Sequence, residues 1–145
     1  MKIMKSLIID ATSFKIFLVI INNKNIYTSS FENSKSNFDK LTILIDDFLK
    51  KNKISINDIN KIYVNRGPGS FAGIRSSLSI VKGIHLSKNI DYYCFSYLDF
   101  FDKKSINIKD LSNKSLHKIY DWKDLPNLCN KSKIRKNLIK PLYIS

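Results

Sequence analysis

An α/β fold, a mixed sheet with packed helices, is what this chain predicts, in the order β-β-β-α-β-α-β. Three observations carry it. Strand-length runs rich in β-branched and aromatic residues crowd the first thirty positions. Two segments of helical apolar period follow, at 37–51 and 70–88. Each of these precedes another short apolar run. The 145 residues fit one domain, and 43% apolar content supplies a real core.

The elements read in order as follows. Ser6–Asp10 is a buried strand that ends in a carboxylate, and Lys15–Ile21 is a second strand. Asn22 to Asn25 is a polar turn, and Ile26-Tyr27-Thr28 begins a third strand, which makes an antiparallel meander. Ser36 is the expected cap of the first helix. Phe38, Leu41, Ile45 and Phe48 then form its stripe, widened by Leu44 and Leu49, and Lys50 to Lys53 close it with cations. Lys61–Asn65 is the next strand. Arg66-Gly67-Pro68-Gly69-Ser70-Phe71-Ala72-Gly73 holds three of the four glycines and opens the second helix. That helix has an apolar stripe of Phe71, Ile74, Leu78, Val81 and Ile84. A different face carries Gly73, Ser76, Ile80, Gly83 and Ser87, whose small members let another helix approach closely. Tyr92–Ser96 reads as a strand. Beyond residue 100 the periodicity fades. Residues 101–145 are expected to be a short basic extension with one or two helices and a last extended Pro141-Leu142-Tyr143-Ile144.

Composition excludes several classes. Nine Phe and seven Tyr exclude a disordered chain, and two distant cysteines make no disulfide framework. The longest apolar run, Ile16 to Ile21, is far short of the ~20 residues of a membrane span. A cytoplasmic protein is expected. The net charge of +13 invites a polyanion partner, but only three of the 25 cations are arginines. Eleven cations against four acids fall in residues 100–145, so any basic patch is expected there.

No self-sufficient catalytic set stands out. The glycine cluster matches neither the P-loop nor the dinucleotide fingerprint. It can be a phosphate cradle at a helix start or a tight strand-to-helix turn, and the turn is the preferred reading. His85 and His117 are 32 residues apart and lack the i, i+4 partners of a metal site, so no metal is expected.

Three local patterns resemble one family. Leu7-Ile8-Ile9-Asp10-Ala11-Thr12-Ser13 resembles the "hydrophobic-IDTS" start of the bacterial TsaB family, also called YeaZ. Gly67-Pro68-Gly69-Ser70-Phe71-Ala72-Gly73-Ile74-Arg75 closely resembles that family's GPGSFTGLR signature, with Ala72 in place of its threonine. Val81-Lys82-Gly83-Ile84, Phe95-Ser96-Tyr97-Leu98 and the closing Pro141-Leu142-Tyr143 occupy the places of further family patterns. The resemblance covers roughly residues 5–100 well and the end loosely.

The resemblance implies one lobe of the actin, hexokinase and Hsp70-like (ribonuclease H-like, ASKHA) fold, here with a second lobe largely missing. It implies a Gcp-like, non-catalytic accessory subunit of the machinery that forms N6-threonylcarbamoyladenosine at position 37 of tRNA. The implied partners are a TsaD-type catalytic subunit, a TsaE-type ATPase, and tRNA through the complex, with a homodimer when alone. ATP and metal are expected in the partners and no cofactor in this chain. The partner interface is expected on Leu41, Ile45, Phe48, Gly73, Ser76, Ile80 and Gly83. The motif loop is expected to comprise Asp10, Thr12, Gly67, Pro68, Gly69, Ser70, Phe71, Gly73 and Arg75. In the wider fold a phosphate-loop aspartate stands where Asp10 stands. Ala11-Thr12 supplies no glycine after it, so a capping or turn role for Asp10 is the preferred reading. The alternatives are an ATP-binding phosphotransferase or ATPase of the same fold, and a free-standing tRNA-binding module.

Overall fold

The computed structural model describes residues 4–23, 25–100 and 121–143. Five strands form one sheet: β1 (Lys5–Asp10), β2 (Lys15–Asn22), β3 (Asn25–Glu32), β4 (Lys61–Asn65) and β5 (Asp91–Phe95). Their order is β3-β2-β1-β4-β5. The first three strands are an antiparallel meander, while β4 lies parallel to both β1 and β5. Parallel neighbours need crossovers, and helices supply them. α1 (Lys35–Asp39) and α2 (Leu41–Lys51) lead to β4, and α3 (Phe71–Lys88) links β4 to β5. A short helix, α4 (Leu125–Lys131), comes later. The mixed sheet with packed helices is as expected.

β1 is central, so its side chains are buried on both faces. Its near-continuous apolar run suits that position. Leu7 and Ile9 join Ile62, Val64, Leu41, Ile45, Phe48, Ile74, Leu78 and Val81 in the larger core, under α2 and α3. Ile8 points the other way and meets Val19, Tyr63, Phe95, Tyr97, Leu125 and Cys129 in a smaller core. Residues of α4 therefore cover the second face. Each fully buried aliphatic side chain contributes about 1.5–3 kcal/mol, so the larger core dominates stability.

The first helix differs from expectation in two ways. Its cap is Ser34, whose side chain accepts from Asn37 N, rather than Ser36. The helix also breaks at Lys40 (φ −112°, ψ 22°) into α1 and α2. Phe38, in the last turn before the break, is held against the start of α3. Its Cε1 lies 3.2 Å from where a Cβ on Gly73 would be, and its carbonyl accepts from Ser76 Oγ at 3.2 Å. α1 is thus turned onto the start of α3, while α2 keeps its stripe on the sheet.

The chain's described end returns to the sheet. Asn137 N donates to Tyr92 O at 2.7 Å, and Tyr92 N donates to Asn137 Oδ1 at 2.9 Å, which closes the outer edge of β5. Leu142 N donates to Arg66 O at 2.8 Å. Residues 101–120 and His117 among them lie outside the described residues.

Candidate functional site

The motif loop forms where the ends of β1 and β4 meet. Asp10 and Asn65 are the last residues of these strands, and both are buried. Asp10 Oδ1 accepts from Thr12 N at 3.0 Å and Thr12 Oγ1 at 2.7 Å. Asp10 Oδ2 accepts from Asn65 Nδ2 at 3.1 Å, and Asn65 Oδ1 accepts from Gly67 N at 2.9 Å. The Tyr97 hydroxyl faces the same carboxylate. Burial, with that negative charge beside it, pushes the Tyr97 phenol well up, so it stays protonated. A buried carboxylate is tolerable only when its oxygens are bonded, and here both are.

The glycines answer to close backbone approach. Gly67 has φ 116°, and a Cβ there would overlap Leu142 O. A Cβ on Gly73 would overlap the carbonyl oxygen of Ala11. Ser70 N donates to Thr12 O at 2.8 Å, and Ser70 Oγ caps α3 by accepting from Gly73 N at 3.2 Å. The Gly67, Ser70 and Gly73 amides are therefore spent inside the chain. A phosphate cradle needs such amides to face outward. The geometry is a tight strand-to-helix turn, with Asp10 as its turn-capping carboxylate.

Around the loop, Arg66 is a clamp. Its Nη2 meets Asp99 Oδ1 at 2.8 Å, and Nη1 reaches Lys140 O at 3.4 Å. Asp99 Oδ2 in turn accepts from Ser96 N at 2.8 Å. Pro68 follows Gly67 through a cis bond. Phe71 is 57% exposed, and its ring lies between Tyr143 (centroids 4.8 Å apart) and Arg75 (5.4 Å). It is therefore not part of the buried stripe of α3.

The expected interface residues divide sharply. Leu41, Ile45, Phe48 and Gly73 are buried inside this chain, because the stripe of α2 faces the sheet and Gly73 faces Ala11. They offer no surface to a partner. Ser76 is half-buried and bonded to Phe38, and Ile80 is half-buried against the larger core. Gly83 faces open space, with nothing within 4 Å of a Cβ built on it. Sequence reasoning missed two apolar residues that stand outside: Ile43, 59% exposed on α2, and Leu86, 74% exposed on α3. Each lies off the apolar stripe of its helix, which was the available signal. Asn65 and Arg66 were also missed as site residues. Nothing local marks Asn65, since its partner Asp10 is 55 positions away.

Among the described residues, no group of three or more His, Cys, Asp or Glu could hold a metal ion. His85 Nδ1 is 2.9 Å from Ile90 O, and its ring meets Tyr92 edge-on. No helix among the described residues is long and apolar enough to cross a membrane.

Comparison with known proteins agrees with the fold. Residues 32–101 match the family model "TsaD: tRNA N6-adenosine threonylcarbamoyltransferase". The tRNA threonylcarbamoyladenosine biosynthesis protein TsaB of Buchnera aphidicola subsp. Baizongia pistaciae is 31% identical over 90 residues, covering 61% of this chain and 41% of the relative. Its counterpart from Buchnera aphidicola subsp. Schizaphis graminum is 30% identical over 99 residues, covering 68% and 47%. This chain thus spans less than half the length of these relatives. The solved structure of YeaZ from Pseudomonas aeruginosa superposes with a TM-score of 0.60 at 17% identity, over 64% of this chain and 44% of that one. Together, the relatives, the shared fold and the Gly67-Pro68-Gly69-Ser70-Phe71 loop place the chain in the TsaB (YeaZ) family, with its actin-like (ASKHA) α/β lobe.

Proposed function

We infer that this chain is an accessory subunit for N6-threonylcarbamoyladenosine formation at position 37 of tRNA, which binds a TsaD-type catalytic protein and holds it in an active arrangement. The observation that carries the reading is the outer surface of α2 and α3. Along α3, half-buried Ile80 and open Gly83 lie on one side and Leu86 stands out one turn later. On α2, Ile43 stands out near the start. A glycine in mid-helix costs about 0.5–1 kcal/mol relative to alanine. Gly83 answers to no close approach among the described residues, and a partner helix packed there gives it a reason. A TsaE-type ATPase and tRNA join through the complex, and the partners supply ATP and metal.

The buried half of the expected interface makes Gly73→Leu and Ser76→Trp poor tests, since both strike contacts inside the chain. Gly83→Trp and Leu86→Asp are the informative variants. Both are expected to keep the fold and to lose the TsaD-type partner on size-exclusion chromatography. Pairing at wild-type strength in both would overturn this surface assignment.

A further inference from the structure

At the far end of the sheet from the motif loop, between the second sheet face and α4, lies a groove of about 280 Å³. That is near the ~300 Å³ lower bound for small-molecule sites. Its floor is the stacked pair Tyr63 and Tyr93, with ring centroids 5.2 Å apart and planes 16° from parallel. Lys61 Nζ is 5.8 Å from the Tyr93 ring centre. The rim carries Asn127, Asn130 and Lys133, all exposed.

Among the described residues the lining has two ammonium groups, two carboxamides and an aromatic floor, and no carboxylate. The carboxylate beside Lys61 in the sheet register, Asp91, is already engaged. It accepts from Asn137 Nδ2 at 2.9 Å and meets Lys136 Nζ at 3.6 Å. The groove is thus a positive opening with a flat apolar surface and amide donors and acceptors.

We propose that this groove binds a nucleotide, with its phosphate on Lys61 and Lys133, its base against Tyr93, and its base edge read by Asn127 and Asn130. A planar ring is favoured by the aromatic floor, as in single-strand binding, where a stacked base contributes about 1–3 kcal/mol. The two lysines act as point charges on the phosphate. The nucleotide can be free or one residue of a single-stranded RNA. The site does not depend on pairing through α2 and α3, which lie across the sheet.

The test titrates the full chain with AMP and, separately, with a fluorescein-labelled single-stranded RNA at several salt concentrations. Lys61→Gln/Lys133→Gln is compared with a control pair on α3, Lys82→Gln/Lys88→Gln. The groove variant is expected to lose at least tenfold in affinity. For RNA the slope of log K on log salt should shrink by ~0.7, the loss of one single-strand phosphate contact. The control pair should change little. AMP binding lost in the groove variant assigns a free nucleotide, and loss with RNA alone assigns the RNA residue. No binding of either ligand, or equal weakening by both lysine pairs, would overturn the proposal.

Discussion

Asn65 donates from Nδ2 to Asp10 Oδ2 at 3.1 Å, joining the ends of two parallel strands 55 positions apart in the chain. The other end of the same carboxamide accepts from Gly67 N. One buried side chain therefore links the β1 carboxylate to the glycine loop.

Asp10→Ala removes the acceptor for Thr12 N, Thr12 Oγ1 and Asn65 Nδ2 together. Stranded buried donors cost about 1–3 kcal/mol. The variant is expected to lose about 2–4 kcal/mol in urea unfolding, with the m-value unchanged. A loss within about 0.5 kcal/mol, as for ordinary surface changes, would mean that Asp10 serves a ligand rather than the turn.

Two glycines on α3 make an internal contrast. Gly73→Ala forces a methyl into the Ala11 carbonyl, and Gly83→Ala meets nothing within 4 Å. Gly73→Ala should lower the unfolding midpoint. Gly83→Ala should raise stability by about 0.5–1 kcal/mol through helix propensity. Circular dichroism melts of the two variants suffice to check this.

Burial pushes the Cys94 thiol up to about 11 and the Cys129 thiol up to about 12. Both therefore stay protonated at pH 8, where an unfolded thiol of ~8.5 is partly ionised and reactive. Iodoacetamide labelling at pH 8 should be slow in buffer and fast in denaturant. The linkage has a definite sign. Both thiols hold protons more tightly when folded, so stability is complete below pH ~8.5 and falls as pH rises towards the folded values. Rapid labelling of the native chain would contradict the buried placement.

Acid acts through Asp91. The hydrogen bond from Asn137, with Lys136 nearby, holds its carboxyl below the usual carboxylate range. Its stabilising share is present above pH ~3.9 and is lost as pH falls through the lower folded value. Asp91→Asn should flatten the acid limb of the stability curve there. An unchanged limb would show that the Asn137 clasp on β5 is not formed in solution.

Strand β4 was legible to the residue, because an apolar run between charged and glycine-rich flanks leaves little freedom at its ends. The start of α3 was legible too, since it follows a proline-glycine turn and opens a clear stripe. The break at Lys40 was not. No glycine or proline marks it, and it coincides with Phe38 meeting Gly73 and Ser76, a contact across more than thirty residues. The stripe Leu41, Ile45 and Phe48 was read correctly as apolar, but a period does not say whether a face meets its own sheet or a partner. Burial against Leu7, Ile9 and Ile62 answers that. The roles of Arg66 and Leu142 depended on the chain's return to the loop, which no local pattern announces.

The central claim is pairing through the α2–α3 surface, and mixing is its most direct test. The purified chain and the TsaD-type protein of the same organism would be combined, with light scattering measured on the eluted peak. A single peak with the mass of a one-to-one complex, lost with Gly83→Trp, is the predicted result. Two separate peaks from the wild-type chain, each at its own mass, would contradict the account.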